Sequence, residues 1–141
     1  MSKKKLQLKI STPFNTVFDE MVDQVTVRTT AGEITVLPDH IPLVSPMDTG
    51  EVMVKTDGAE QNIAVDGGVL EIRHDSKVFI LSSRAEHAQD IDIERAEAAL
   101  ARAEETMKAG FDSIEVDHSN VTRMIARDMN RLRVAKKGRR K

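Results

Sequence analysis

The chain has 141 residues, 40% apolar and 31% charged, with a formal charge of −2, enough for one domain or a compact domain with an appendage. Four Phe and no Tyr or Trp argue against an aromatic platform for single-stranded nucleic acid, and the lack of Cys excludes disulfides, thiolate zinc sites and a Cys nucleophile. No apolar run nears the roughly 20 residues of a membrane-crossing helix, and no apolar signal core follows the charged residues 1–5.

Residues 1–86 carry 9 basic and 13 acidic side chains and read as strands. Leu6, Leu8 and Ile10 alternate with polar neighbours, as do Val25 and Val27; Val52 and Val54 alternate with Met53 and Lys55. Period-two patterning of this kind marks half-buried strands. Asp57-Gly58 separates two such runs and predicts a tight hairpin. Turns are expected at residues 31–33, 66–68 and 74–76, with Gly67-Gly68 a turn or bulge. Pro13, Pro38, Pro42 and Pro46 are expected between strands or on edges, where a missing N–H is tolerated. Some ten short strands with no intervening helical pattern predict an antiparallel β-sandwich or flattened barrel.

Beyond a linker near residues 84–89 the period changes. Asp90 is the expected cap of a first helix with an apolar stripe of Ile93, Ala96, Leu100, Ala103 and Met107, stopped at Gly110. An acidic link, residues 111–117, leads to a second helix capped by Ser119, with Val121, Met124, Ile125 and Leu132 as its apolar face. The expected architecture is therefore α+β: a sandwich over residues 1–86 and a helical hairpin over 87–141. So much of the hairpin stripe is Ala that it buries little area, and helices of about 20 residues are marginal alone. The hairpin is expected to be weakly closed.

Arg95 and Arg102 share one helix face; Arg123, Arg127 and Arg131 share another. In an antiparallel hairpin these stripes can converge, and converging guanidiniums suit bidentate phosphate contact. The blander reading is local pairing, Asp92 with Arg95 or Asp128 with Arg131. Residues 118–141 hold nine basic side chains against Asp128 alone, which leaves a nucleic-acid-binding adaptor as the alternative function. The tail, residues 136–141, reads equally as a solvated end. His40 follows Asp39 in a loop stiffened by Pro38 and Pro42, suited to docking. It has no neighbouring metal-ligand set and no nucleophile–base pair, so no catalytic or metal residue is assigned.

Four segments carry a resemblance covering almost the whole chain. Residues 32–43 (GEITVLPDHIPL), 65–72 (VDGGVLEI), 90–96 (DIDIERA) and 129–132 (MNRL) occur in the order seen in the epsilon-subunit family of bacterial F-type ATP synthases, which this chain resembles. The resemblance implies a non-catalytic rotor subunit of the central stalk. Its sandwich would bind the gamma subunit and the c-ring, with Glu33 and His40 as c-ring contacts. Its helices would fold back, or extend towards the alpha and beta subunits of the catalytic head and inhibit ATP hydrolysis. The implied site is peripheral, on the cytoplasmic face of the bacterial inner membrane, without membrane insertion and without nucleic acid. No cofactor is implied, but ATP is a candidate regulatory ligand. The family's nucleotide motif maps onto Glu86, Ile91, Asp92, Arg95, Ala96, Arg102, Arg127 and Arg131.

Overall fold

The computed structural model describes residues 3–110 and 118–139. The chain divides into two compact units, Met1–His87 and Ala88–Lys141.

The first unit holds eight strands: β1 (Leu6–Ser11), β2 (Thr16–Val22), β3 (Gln24–Thr29), β4 (Gly32–Val36), β5 (Leu43–Thr56), β6 (Ala59–Arg73), β7 (Lys77–Leu81) and β8 (Ala85–His87). Their order is β2-β1-β7-β6-β5-β3-β4, with β8 also pairing β6. All pairs are antiparallel except β1 with β7. The long β5–β6 hairpin belongs to both layers of a sandwich. Its open end pairs with β7 through Val69–Arg73, and its turn end pairs with β3 and β8. Alternation puts Leu6, Leu8 and Ile10 of one layer and Val25, Val27 and Val36 of the other into one core, every one of them fully buried.

Eight strands stand where some ten were expected, in part because one expected break is not a break. Residues 61–65 and 69–72 are one strand. The register runs from Leu43↔Ile72 to Thr56↔Ala59, omitting only the pair Asp48–Gly67. Gly67 and Gly68 have φ of 69° and 120° within it, and a Cβ on Gly68 would stand 2.0 Å from the Leu81 carbonyl oxygen. The glycines let the strand bend from one layer to the other instead of ending it. Pro46 lies inside β5 and on an edge, one of its two expected placements. Residues 43–46 pair only with β6, so β5 is an edge there and the missing N–H is tolerated. Asp57-Gly58 forms the expected hairpin turn, with φ of 52° and 83°.

In the second unit a 3₁₀ turn (Ala88–Asp90) precedes α1 (Ile93–Ala109) and α2 (His118–Arg139). The cap of α1 is Asp92, not Asp90: its carboxylate accepts from the Arg95 N–H at 3.1 Å, while Asp90 closes the 3₁₀ turn. Gly110 ends α1 as expected. α2 already runs at His118, so Ser119 lies inside the helix rather than capping it. The link, residues 111–117, lies outside the described residues, as do residues 140 and 141. The basic segment is helical as far as Arg139.

Candidate functional site: an arginine-lined cleft between two helices

The two helices run antiparallel. Lys136 Nζ near the end of α2 lies 3.6 Å from Glu97 near the start of α1, and the first turn of α2 faces the last turns of α1. Alanine dominates the seam: Ala88, Ala96, Ala103 and Ala135 are half of the unit's eight buried apolar residues among those described. Small side chains leave room, and a cleft of about 280 Å³ opens between the helices. Ala99, Ala103 and Val121 form its apolar wall; Arg102, Arg127 and Asp128 supply its charge.

The stripes of arginine thus meet in part. Arg102 from α1 and Arg127 from α2 line one cleft. Arg131, one turn beyond Arg127, points Nη1 at Asp128. Arg95 is exposed at the start of α1, about 10 Å along the helix from Arg102. Ile91 and Ala96 are buried, and Asp92 is committed to the helix cap. Glu86 belongs to the strand unit, half-buried in β8 opposite Ala64. Arg123 is exposed and does not line the cleft.

The sequence expectations fare unequally here. Asp92 does not pair with the Arg95 side chain; it caps the backbone. Asp128 does pair with Arg131, as expected, but from the interior. It is fully buried, with Oδ1 3.5 Å from both Arg127 Nε and Arg131 Nη1. Met124, expected on the apolar face, is 37% exposed at the mouth of the cleft, while Val134 and Ala135 are buried instead. The signal for Asp128 was present. It stands seven residues after Val121 and four before Leu132, in line with both on a helix.

The strand unit carries a second candidate surface. Val44, Pro46, Val69 and Leu81 lie on the outer face of β5, β6 and β7, and Val44, Val69 and Leu81 are 68%, 41% and 54% exposed. Leu37 and Ile41 are exposed in the loop between β4 and β5. The loop is shaped by Asp39 at φ 66°, whose N–H donates to Ser76 Oγ at 2.7 Å. Lys4 holds the Asp39 carboxylate and lowers its pKa, first by hydrogen bonding and then by charge. His40, in the same loop, is half-buried with Nδ1 2.6 Å from the Ile41 carbonyl oxygen. Glu33 is exposed near the other end of edge strand β4, beside the β3–β4 turn and opposite Arg28. Among the described residues no group of His, Asp and Glu could hold a metal ion, and no helix is long and apolar enough to cross a membrane.

A sandwich with an exposed apolar face, followed by a helical hairpin with an alanine seam and an arginine-lined cleft, defines a two-part protein. Comparison with known proteins then places it. Residues 5–88 match the model of the ATP synthase delta/epsilon chain β-sandwich domain, and residues 89–136 match that of the delta/epsilon chain long α-helix domain. The chain belongs to the ATP synthase delta/epsilon family, a non-catalytic subunit of that complex. It is 39% identical over 133 residues to the ATP synthase epsilon chain of Bacillus licheniformis, covering 94% of this chain and 99% of the relative. It is 42% identical over 113 residues to that of Bacillus subtilis, covering 80% and 85%. Its fold is similar to a chain of the Euglena gracilis mitochondrial ATP synthase, with a TM-score of 0.75 at 21% identity over 89% of this chain and 78% of that one. Nothing in these matches supports the nucleic-acid-binding alternative.

Proposed function

We propose that this chain works in the ATP synthase rotor, with a docking part and a regulatory part. The sandwich docks on the gamma subunit and the c-ring. The hairpin binds ATP when closed; when extended towards the alpha and beta subunits it restrains ATP hydrolysis. The chain is peripheral, on the cytoplasmic face of the membrane that holds the ring, and serves proton-coupled ATP synthesis without catalysing it. The observation that carries this reading is the family match across both units.

Physical features support each part. An outer sheet face with Val44, Val69 and Leu81 exposed, flanked by a stiff loop with Ile41, suits burial against another protein. Arg102 and Arg127 in one cleft suit a polyphosphate, and the alanine wall suits a flat base. A ligand that binds only the closed hairpin shifts the population towards it.

Two measurements test the reading. The tagged full chain should co-purify with gamma and c-ring subunits, and Val44→Asp or Ile41→Asp should release them. Calorimetry should register ATP binding to the isolated chain. Co-purification without ATP binding would leave docking and remove nucleotide control; failure to co-purify would remove the rotor role.

A further inference from the structure

We propose that Asp128 is a built-in competitor for the cleft: its carboxylate occupies the arginines that a ligand's phosphates need, and so sets how much nucleotide is required to fill the site. The proposal rests on the reading that this cleft takes the phosphates of ATP. It adds a residue that opposes binding.

The placement of Asp128 motivates it. An apolar residue would extend the Val121–Leu132 line at position 128, yet a carboxylate stands there with no exposed surface. A buried carboxylate is costly unless charge and hydrogen bonds compensate it. Arg127 Nε and Arg131 Nη1 compensate it incompletely. Both approach the same oxygen, Oδ1, at 3.5 Å, longer than the 2.7–2.9 Å usual for a charge-assisted hydrogen bond. Oδ2 is buried with no hydrogen-bond partner among the described residues. The carboxylate thus draws two guanidiniums to one oxygen and leaves its other oxygen without a hydrogen bond among the described residues. It also lines the same cleft as Arg102 and Arg127.

A phosphate entering the cleft therefore meets two guanidiniums and one carboxylate. It must overcome a like charge and draw Arg127 away from Asp128. Removing the charge at 128 eliminates the repulsion and frees Arg127 from its contact with Asp128, so that a phosphate takes that place. The effect acts through ligand charge, so the nucleoside moiety is indifferent to it. A purely structural Asp128 would give the opposite result, since its loss would loosen the helices and weaken every ligand.

The test uses the full chain as wild type, Asp128→Asn and Asp128→Ala, titrated calorimetrically with ATP, inorganic tripolyphosphate and adenosine at one ionic strength. We expect ATP and tripolyphosphate to bind at least about tenfold more tightly to both variants, equivalent to about 1.4 kcal/mol, with adenosine unchanged. Far-UV circular dichroism checks that the helices persist. The alanine variant, a good helix former, covers the case in which the amide disturbs the seam. Unchanged or weaker ATP binding in variants that keep their helices overturns the competitor role while leaving ATP binding in place. A gain for tripolyphosphate alone, with no ATP bound by any form, keeps the competitor role and overturns the nucleotide reading. Loss of helicity in both variants, unrestored by excess tripolyphosphate, assigns Asp128 to structure and overturns the proposal.

Discussion

Gly138, in the last described turn of α2, stands so close to Ala88 that a Cβ added to it would lie 2.6 Å from the Ala88 Cβ. Contacts that short do not occur between carbons, and neither atom is the end of a flexible chain. Gly→Ala inside a helix ordinarily stabilises it by about 1 kcal/mol. Here the sign should reverse. Gly138→Ala should destabilise packing of the 3₁₀ turn on α2 by about 1–3 kcal/mol, the usual cost of overpacking. Thermal unfolding followed by circular dichroism checks this, and a raised midpoint would show that the close approach yields freely.

Within the cleft, position along α2 separates one arginine from another. Arg127→Ala should weaken ATP binding about tenfold, the loss typical of one charge-assisted hydrogen bond. Arg123→Ala, one turn earlier and exposed, should change it less than about twofold, as a screened surface charge does. Calorimetry on both variants decides, and equal losses would mean that general positive charge, not the cleft, attracts the nucleotide.

Nearly all the large buried apolar side chains belong to the strand unit. A chain truncated after His87 should therefore fold and join the rotor. The cut must spare β8. It pairs with β6, and His87 Nε2 lies 3.1 Å from the Val17 carbonyl oxygen, with its ring tilted against Phe18. Truncation after Arg84 should lower stability where truncation after His87 does not. Denaturant unfolding and co-purification with gamma test both cuts.

The basic end of α2 should act by long-range attraction. Lys136 and Lys137 are exposed. Replacing Lys136, Lys137, Arg139, Arg140 and Lys141 with Ala should raise ATP hydrolysis by the assembled enzyme at low salt. The gain should shrink as salt rises, since exposed charges are screened within about 10 Å at 0.1 M. Equal rates for both enzymes across a salt series would exclude a role for these charges in inhibition.

The loop between β4 and β5 should weaken in acid. The Asp39 pKa is lowered from 3.8, mainly by its hydrogen bond to Lys4 and then by that charge. A lowered carboxylate stabilises the folded loop above its ordinary value and loses that contribution as pH falls through the lowered one. Lys4→Ala should move the Asp39 titration back towards 3.8, read by NMR, with faster exchange of the Asp39 amide that donates to Ser76. An unmoved titration would assign the turn to Ser76 alone.

Much of the strand unit was legible because its signals are local. Leu6, Leu8 and Ile10 face inwards because alternate residues must, and Asp57-Gly58 turns because its backbone tolerates positive φ. The continuity of β6 through Gly67-Gly68 was not legible. Two glycines signal a turn as readily as a bend, and only the approach of Leu81 from β7 distinguishes them. Helix capping was legible by residue type but not by position: Asp90 and Asp92 are chemically alike, and the 3₁₀ turn claims the first.

For the candidate site, sequence alone determined the membership of the two arginine stripes, because helical periodicity is a property of one segment. It also determined the family, because four motifs in order specify it. Tertiary structure alone decided which arginines meet. The antiparallel pairing brings Arg102 and Arg127 to one cleft, leaves Arg95 and Arg123 exposed, and buries Asp128 beside Arg127 and Arg131. The physical reason is that burial depends on what the opposite helix presents. Alanines on α1 let the helices approach, and their small volume leaves both the space that an anion could enter and the carboxylate that stands in it.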